Sequence, residues 1–117
     1  ISLMHAMYVQ LKYMIEVEGL DNRFKRHLEL AHETRAWATK NFSLFAKEGY
    51  ESQTVTTIHN TKHLDTKMLA EKLFEKGYVF ADGYGSYKGK TFRIGHMGDR
   101  TMETLKQYLL EIERLWQ

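Results

Sequence analysis

The 117-residue sequence predicts an α+β domain, a small antiparallel-type sheet with helices packed on one of its faces. Three observations carry this expectation. Residues 3–18, 22–47 and 102–116 repeat apolar side chains every three to four positions, short β-branched or aromatic runs lie between such stretches, and glycines or capping residues mark the joins. The order these signals predict is α-α-β-α-β-β-α, with no repeat, linker or low-complexity segment.

In the first stretch, Leu3, Met7, Leu11, Met14 and Glu18 follow one helical face, while Ala6, Val9, Tyr13 and Val17 form a second stripe. A helix apolar on two sides has to be covered on two sides. Gly19 stands at the C′ position, where a left-handed residue is wanted. Asp21 is the expected N-cap of a long helix over 22–47. Its inward stripe would be Phe24, Leu28, Ala31, Ala38, Phe42 and Phe45, with Leu30 and Trp37 alongside and Gly49 closing it. The β-branched run 53–59 reads as a strand. Asp65 caps a third helix carrying Met68, Leu69 and Leu73, which Gly77 ends. Tyr78-Val79-Phe80 reads as a short strand, followed by a glycine-rich loop and a strand over 90–95. Thr101 caps a last helix with Met102, Leu105, Leu109, Ile112 and Trp116 on one face.

Composition narrows the function classes. A net charge of +2 is too small to suggest a nucleic-acid partner, which leaves a clustered basic face. The absence of cysteine removes disulfides, thiolate nucleophiles and thiolate metal sites. No apolar run approaches a membrane span and no signal peptide is visible, so a cytoplasmic protein without a membrane partner is the expectation.

Residues 83–99, GYGSYKGKTFRIGHMGD, raise the possibility of a phosphate cradle. A P-loop counted back from Gly89 needs its first glycine at position 84, which is Tyr84, and the dinucleotide pattern would put its third glycine on Lys88. Both also need a helix next, where free N–H groups meet the phosphate. Thr91 to Gly95 reads as a strand instead, so both nucleotide readings fail.

Histidines do not make a convincing metal site. His27 and His32 are five apart and point in different directions on a helix, His59 and His63 flank a loop without a placed carboxylate pair, and HExxH is absent. The charged stretch Asn22 to Arg26 reads as a solvated helix face. Tyr84 and Tyr87 fit either stacking on a ligand or packing over the sheet edge. Arg93 stands apart. Strand alternation sends Phe92, Ile94 and His96 toward the helices, and Thr91, Arg93 and Gly95 to the helix-free face. Small neighbours would leave the guanidinium within reach of a ligand, and its planar fork matches a carboxylate bidentately. The pattern alone fits a solvated sheet-face arginine as well, and that is the commoner case.

The run Phe92-Arg93-Ile94-Gly95-His96-Met97-Gly98 resembles the carboxy-terminal motif of class V aminotransferases, in the alanine–glyoxylate and serine–pyruvate branch. Weaker similarities follow in the same order along the chain: Ile1-Ser2-Leu3, the segment Gly19 to Arg23 with His27, Thr54 to Thr57, and Gly83 to Gly85 with Gly89-Lys90. The resemblance implies the small domain of a fold-type I pyridoxal 5'-phosphate enzyme, usually a homodimer, that moves an amino group from serine or alanine to glyoxylate or pyruvate. It implies that residues 1–18 are the helix leaving a large domain and that 19–117 are the small α+β domain. It assigns Arg93 to the substrate α-carboxylate. It also implies that the Schiff-base lysine, the ring-stacking residue and the ring-nitrogen partner lie outside this chain, which would therefore hold no catalytic, cofactor-binding or metal-binding residue and be inactive alone. The rival expectation is a stand-alone binding or oligomerisation module for an acidic ligand.

Overall fold

The computed structural model describes residues 1–117. Helix α1 (Ser2–Lys12) runs on through a π-helical turn, Tyr13–Glu18, to Gly19. Gly19 stops the helix as expected, at a positive φ that favours glycine, but with φ 83° and ψ 135° it lies outside the left-handed helical well. Helix α2 (Leu20–Asn41) begins directly after it, so the cap position belongs to Gly19. Asp21 lies inside the first turn and caps nothing, where its charge still complements the helix dipole.

Helix α2 is shorter than the predicted 22–47. It ends at Asn41, and Phe42, at φ −141°, leads into a two-residue edge strand β1 (Ser43–Leu44) that the sequence reading does not contain. Aromatic packing explains the break. The Phe42 ring lies 5.6 Å from Trp37, 5.2 Å from Phe92 and 5.2 Å from Trp116. Phe45 instead meets His59 and Tyr87, each at 5.1 Å, on the opposite side of the sheet. Continued helix would have put the two phenylalanines on one face. The inward stripe is also rotated. Leu30, Ala31, Thr34, Trp37 and Ala38 are buried, whereas Phe24 is 63% exposed and Leu28 39%.

Strands β2 (Val55–His59), β3 (Ala81–Asp82) and β4 (Thr91–Gly95) complete a sheet of order β1-β2-β4-β3 in which every pair is antiparallel. Tyr78 to Phe80 is not a strand. The Tyr78 N–H is bonded to Leu73 O (2.9 Å), closing the preceding helix, and strand pairing starts only at Ala81. Phe80 still reaches the core, stacking on Phe92 at 5.5 Å.

Helix α3 (Thr66–Glu75) is capped by the Asp65 carboxylate, which accepts from the N–H groups of Lys67 and Met68. Helix α4 (Met102–Arg114) opens on Thr101, which forms a reciprocal capping box with Thr104. Ile58, Phe92 and Ile94 point from the sheet into a core completed by Leu30, Leu69, Leu73, Leu105 and Ile112. Thus α2, α3 and α4 cover one face of the sheet and leave the other free of helices, which is the predicted architecture with one strand more.

Candidate functional site

From Phe92 onward, alternation along β4 places the side chains as the sequence predicted. Phe92, Ile94 and His96 are buried against the helices, and Arg93 is exposed on the helix-free face, with Thr57 and Ala81 directly across on the neighbouring strands. Its Nε donates to Asp82 O at 3.1 Å. The two terminal nitrogens have no protein partner. A guanidinium anchored through Nε and open at Nη1 and Nη2 presents the end that matches the two oxygens of a carboxylate.

The surroundings differ from expectation on one side. Thr91, expected as a small neighbour on the open face, is buried, its hydroxyl donating to Tyr87 O at 3.3 Å. The glycine-rich loop folds back over that end of the strand. Gly83 makes this possible, since a Cβ there would stand 2.2 Å from Tyr87 O. Tyr87 packs edge-on to Phe45 over the sheet, while Tyr84 is exposed. Arg93 is therefore reached past Gly95 and from above.

Asp82 holds this loop, and the sequence reading passed over it. One carboxylate oxygen, Oδ1, accepts from Gly83 N–H (2.7 Å) and Gly89 N–H (2.9 Å), at either end of the loop, and Oδ2 accepts from the Thr66 hydroxyl (3.0 Å). Burial pushes the Asp82 pKa up, but the Gly89 and Gly83 N–H groups, Thr66 and nearby Lys88 outweigh it and hold the carboxyl below its ordinary value. An Asp-Gly pair opening a glycine loop was the available signal, because aspartate bonds to backbone N–H groups in turns.

A cavity of about 420 Å³ lies elsewhere, lined by Arg23, Phe24, His27, Leu28, Gln53 and Thr54. Its charged and imidazole groups are already occupied. Arg23 pairs with Glu18 (2.8 Å) and Asp99 (3.1 Å), and Arg26 pairs with Glu18 (2.7 Å). Gly98 N–H donates to His27 Nε2 (2.9 Å), so Nδ1 carries the proton and donates to Arg23 O (2.7 Å). Arg23 and His27 tie α2 to the 98–99 loop and leave no charged group free for a ligand. The Arg93 face is the better candidate for that reason.

No group of three or more His, Cys, Asp or Glu side chains is placed to bind a metal ion. Every lysine is exposed; Lys90 lines a cavity with His59 and His63, and Lys62 lies over the rings of Phe42 (5.6 Å) and Trp116 (5.5 Å).

No family model matches the chain. Among curated proteins it is 40% identical over 100 residues to an uncharacterized aminotransferase of Methanocaldococcus jannaschii, covering 84% of this chain and 26% of that protein. It is 35% identical over 105 residues to a serine–glyoxylate aminotransferase of Arabidopsis thaliana, covering 85% and 25%. Among solved structures, an alanine–glyoxylate aminotransferase from Nostoc sp. superposes with a TM-score of 0.79 at 27% identity, over 88% of this chain and 28% of that one. The chain thus spans about a quarter of the length of its relatives. Sequence and fold agree that it matches the small carboxy-terminal domain of the class V aminotransferases.

Proposed function

We propose that the chain is the small domain of a pyridoxal-phosphate-dependent aminotransferase and that Arg93 grips the α-carboxylate of its amino-acid substrate. The observation carrying this reading is the Arg93 guanidinium itself, tethered through Nε and unpartnered at its two terminal nitrogens on an open sheet face. A carboxylate seated on that fork is fixed in both position and plane, which orients the adjacent Cα. The cofactor of such enzymes supplies the electron sink. Residues outside this chain would hold it, and the chain alone would not transaminate.

Four of the matched proteins carry glyoxylate in their names with serine or alanine as partner, so a small amino acid as donor and glyoxylate or pyruvate as acceptor is the substrate class we favour. Residues 1–18 would be the helix joining the large domain and 19–117 the small domain, the boundary coinciding with the break at Gly19. A homodimer in the cytoplasm completes the proposal; no helix here is long and apolar enough to cross a membrane.

The test is Arg93→Ala and Arg93→Lys in the full-length gene product. Arg93→Ala should cost on the order of 2–5 kcal/mol in kcat/KM for the amino acid, because it leaves a desolvated carboxylate unpaired. Arg93→Lys should recover little of this, since a point charge does not reproduce the fork. Amines lacking the α-carboxylate should be nearly unaffected. Near-normal kcat/KM for the amino acid in Arg93→Ala would show Arg93 to be a solvated sheet-face residue.

A further inference from the structure

We infer that Asp82 is a positioning residue for the carboxylate site, setting the direction of the Arg93 fork through its own main chain. The inference rests on the assignment of Arg93 to the substrate carboxylate. Two parts of Asp82 act in different directions. Its carbonyl accepts the Arg93 Nε–H and is the only hydrogen bond the guanidinium makes to the protein. Its carboxylate accepts both loop amides on a single oxygen, with Thr66 at the start of α3 on the other.

The main chain at Asp82 needs such support. Strand β3 is only two residues long and lies at the sheet edge, where Ala81 pairs with Arg93 and Asp82 with Phe92. An edge that short, entering a loop with two more glycines at positive φ (Gly85, 57°; Gly89, 76°), has little rigidity of its own. The carboxylate joins the first and seventh residues beyond Asp82 to each other and to α3, a helix whose Leu69 and Leu73 are buried in the core. The carbonyl that aims Arg93 is thereby referred to the core instead of to a free edge. A fork displaced by even 1 Å presents its nitrogens out of line with a carboxylate, which is costly where orientation is the protein's contribution.

The experiment uses the full-length gene product, with steady-state kinetics for the amino acid and hydrogen exchange of the 82–91 segment measured without substrate. Asp82→Ala should speed exchange at residues 83–89 and raise KM on the order of tenfold, with kcat changed far less. Asp82→Asn keeps an oxygen for the two amides and should restore most of the KM. If Asp82→Ala does not accumulate folded, Asp82→Ser, whose shorter hydroxyl side chain cannot span both amides, should shift exchange and KM in the same direction. Faster exchange with unchanged KM, while Arg93→Ala does raise KM, would overturn the positioning role and leave the carboxylate reading standing. Near-normal kcat/KM for the amino acid in Arg93→Ala would overturn both.

Discussion

Arg93 and His96 are three residues apart and meet opposite environments. His96 is fully buried beneath the sheet, its Nε2 2.8 Å from the Thr56 hydroxyl and its Nδ1 without a partner. Burial above all, with the Arg35 charge second, lowers its pKa to about 4. The native state therefore refuses a proton that the unfolded chain accepts near 6.5. Stability from this residue is complete above about pH 6.5 and is lost as pH falls from there to about 4. Urea midpoints at pH 7 and pH 4.5 should accordingly differ more in the wild-type chain than in His96→Gln, even if the variant starts lower. Parallel behaviour of the two proteins would mean that His96 titrates normally. Both residues were legible in sequence through strand alternation. Burial of Thr91 was not, because it depends on a loop carbonyl brought over from Tyr87.

At the scale of elements, the Asp65 and Thr101 caps and the Gly77 stop were legible, whereas the cap, the end and the phase of α2 were not. Asp65, Gly77 and Thr101 act through hydrogen bonds or dihedral choices within a few residues, and all three stand where the sequence put them. The apolar residues of helix α2 spread over about half of its circumference, from Trp37 and Leu30 round to Phe24 and Leu28, so periodicity alone admits more than one inward face. The tertiary structure selects Leu30, Thr34, Trp37 and Ala38 and leaves Phe24 outside. Two substitutions in the 117-residue chain separate these faces. Phe42→Ala should cost about 3–5 kcal/mol, since it empties a site bounded by three aromatic rings. Phe24→Ala should change unfolding free energy by no more than about 0.5 kcal/mol. Equal losses in denaturant unfolding would return Phe24 to the core and contradict the observed phase.

For the molecule as a whole, α1 is the anomaly. None of its residues is buried, and Leu3 is 84% exposed with Met4, Met7, Tyr8 and Val9 exposed beside it. Glu18 anchors only the far end of the π-turn, through Arg23 and Arg26. An apolar surface of this kind seeks cover. The 117-residue chain should therefore self-associate with rising concentration in sedimentation, and at low concentration the amides of 2–12 should exchange faster than those of α4. A strict monomer with α1 as protected as α4 would refute this.

What the sequence by itself determined is local: the Asp65 and Thr101 caps, the stops at Gly19 and Gly77, the alternation from Phe92 to His96 and the outward direction of Arg93. These depend on dihedral preferences and hydrogen bonds spanning no more than four residues. The tertiary structure decided where α2 stops, which of its faces is inside, where β3 begins and what holds Arg93. Each of those rests on partners far away in the chain: Phe42 on Phe92 and Trp116, Arg93 on the carbonyl of Asp82, and Asp82 on Thr66 and Gly89. A ring that gains several kcal/mol by entering the core outweighs the fraction of a kcal/mol that helix propensity adds per residue. Long-range packing therefore overrode the local pattern wherever the two disagreed.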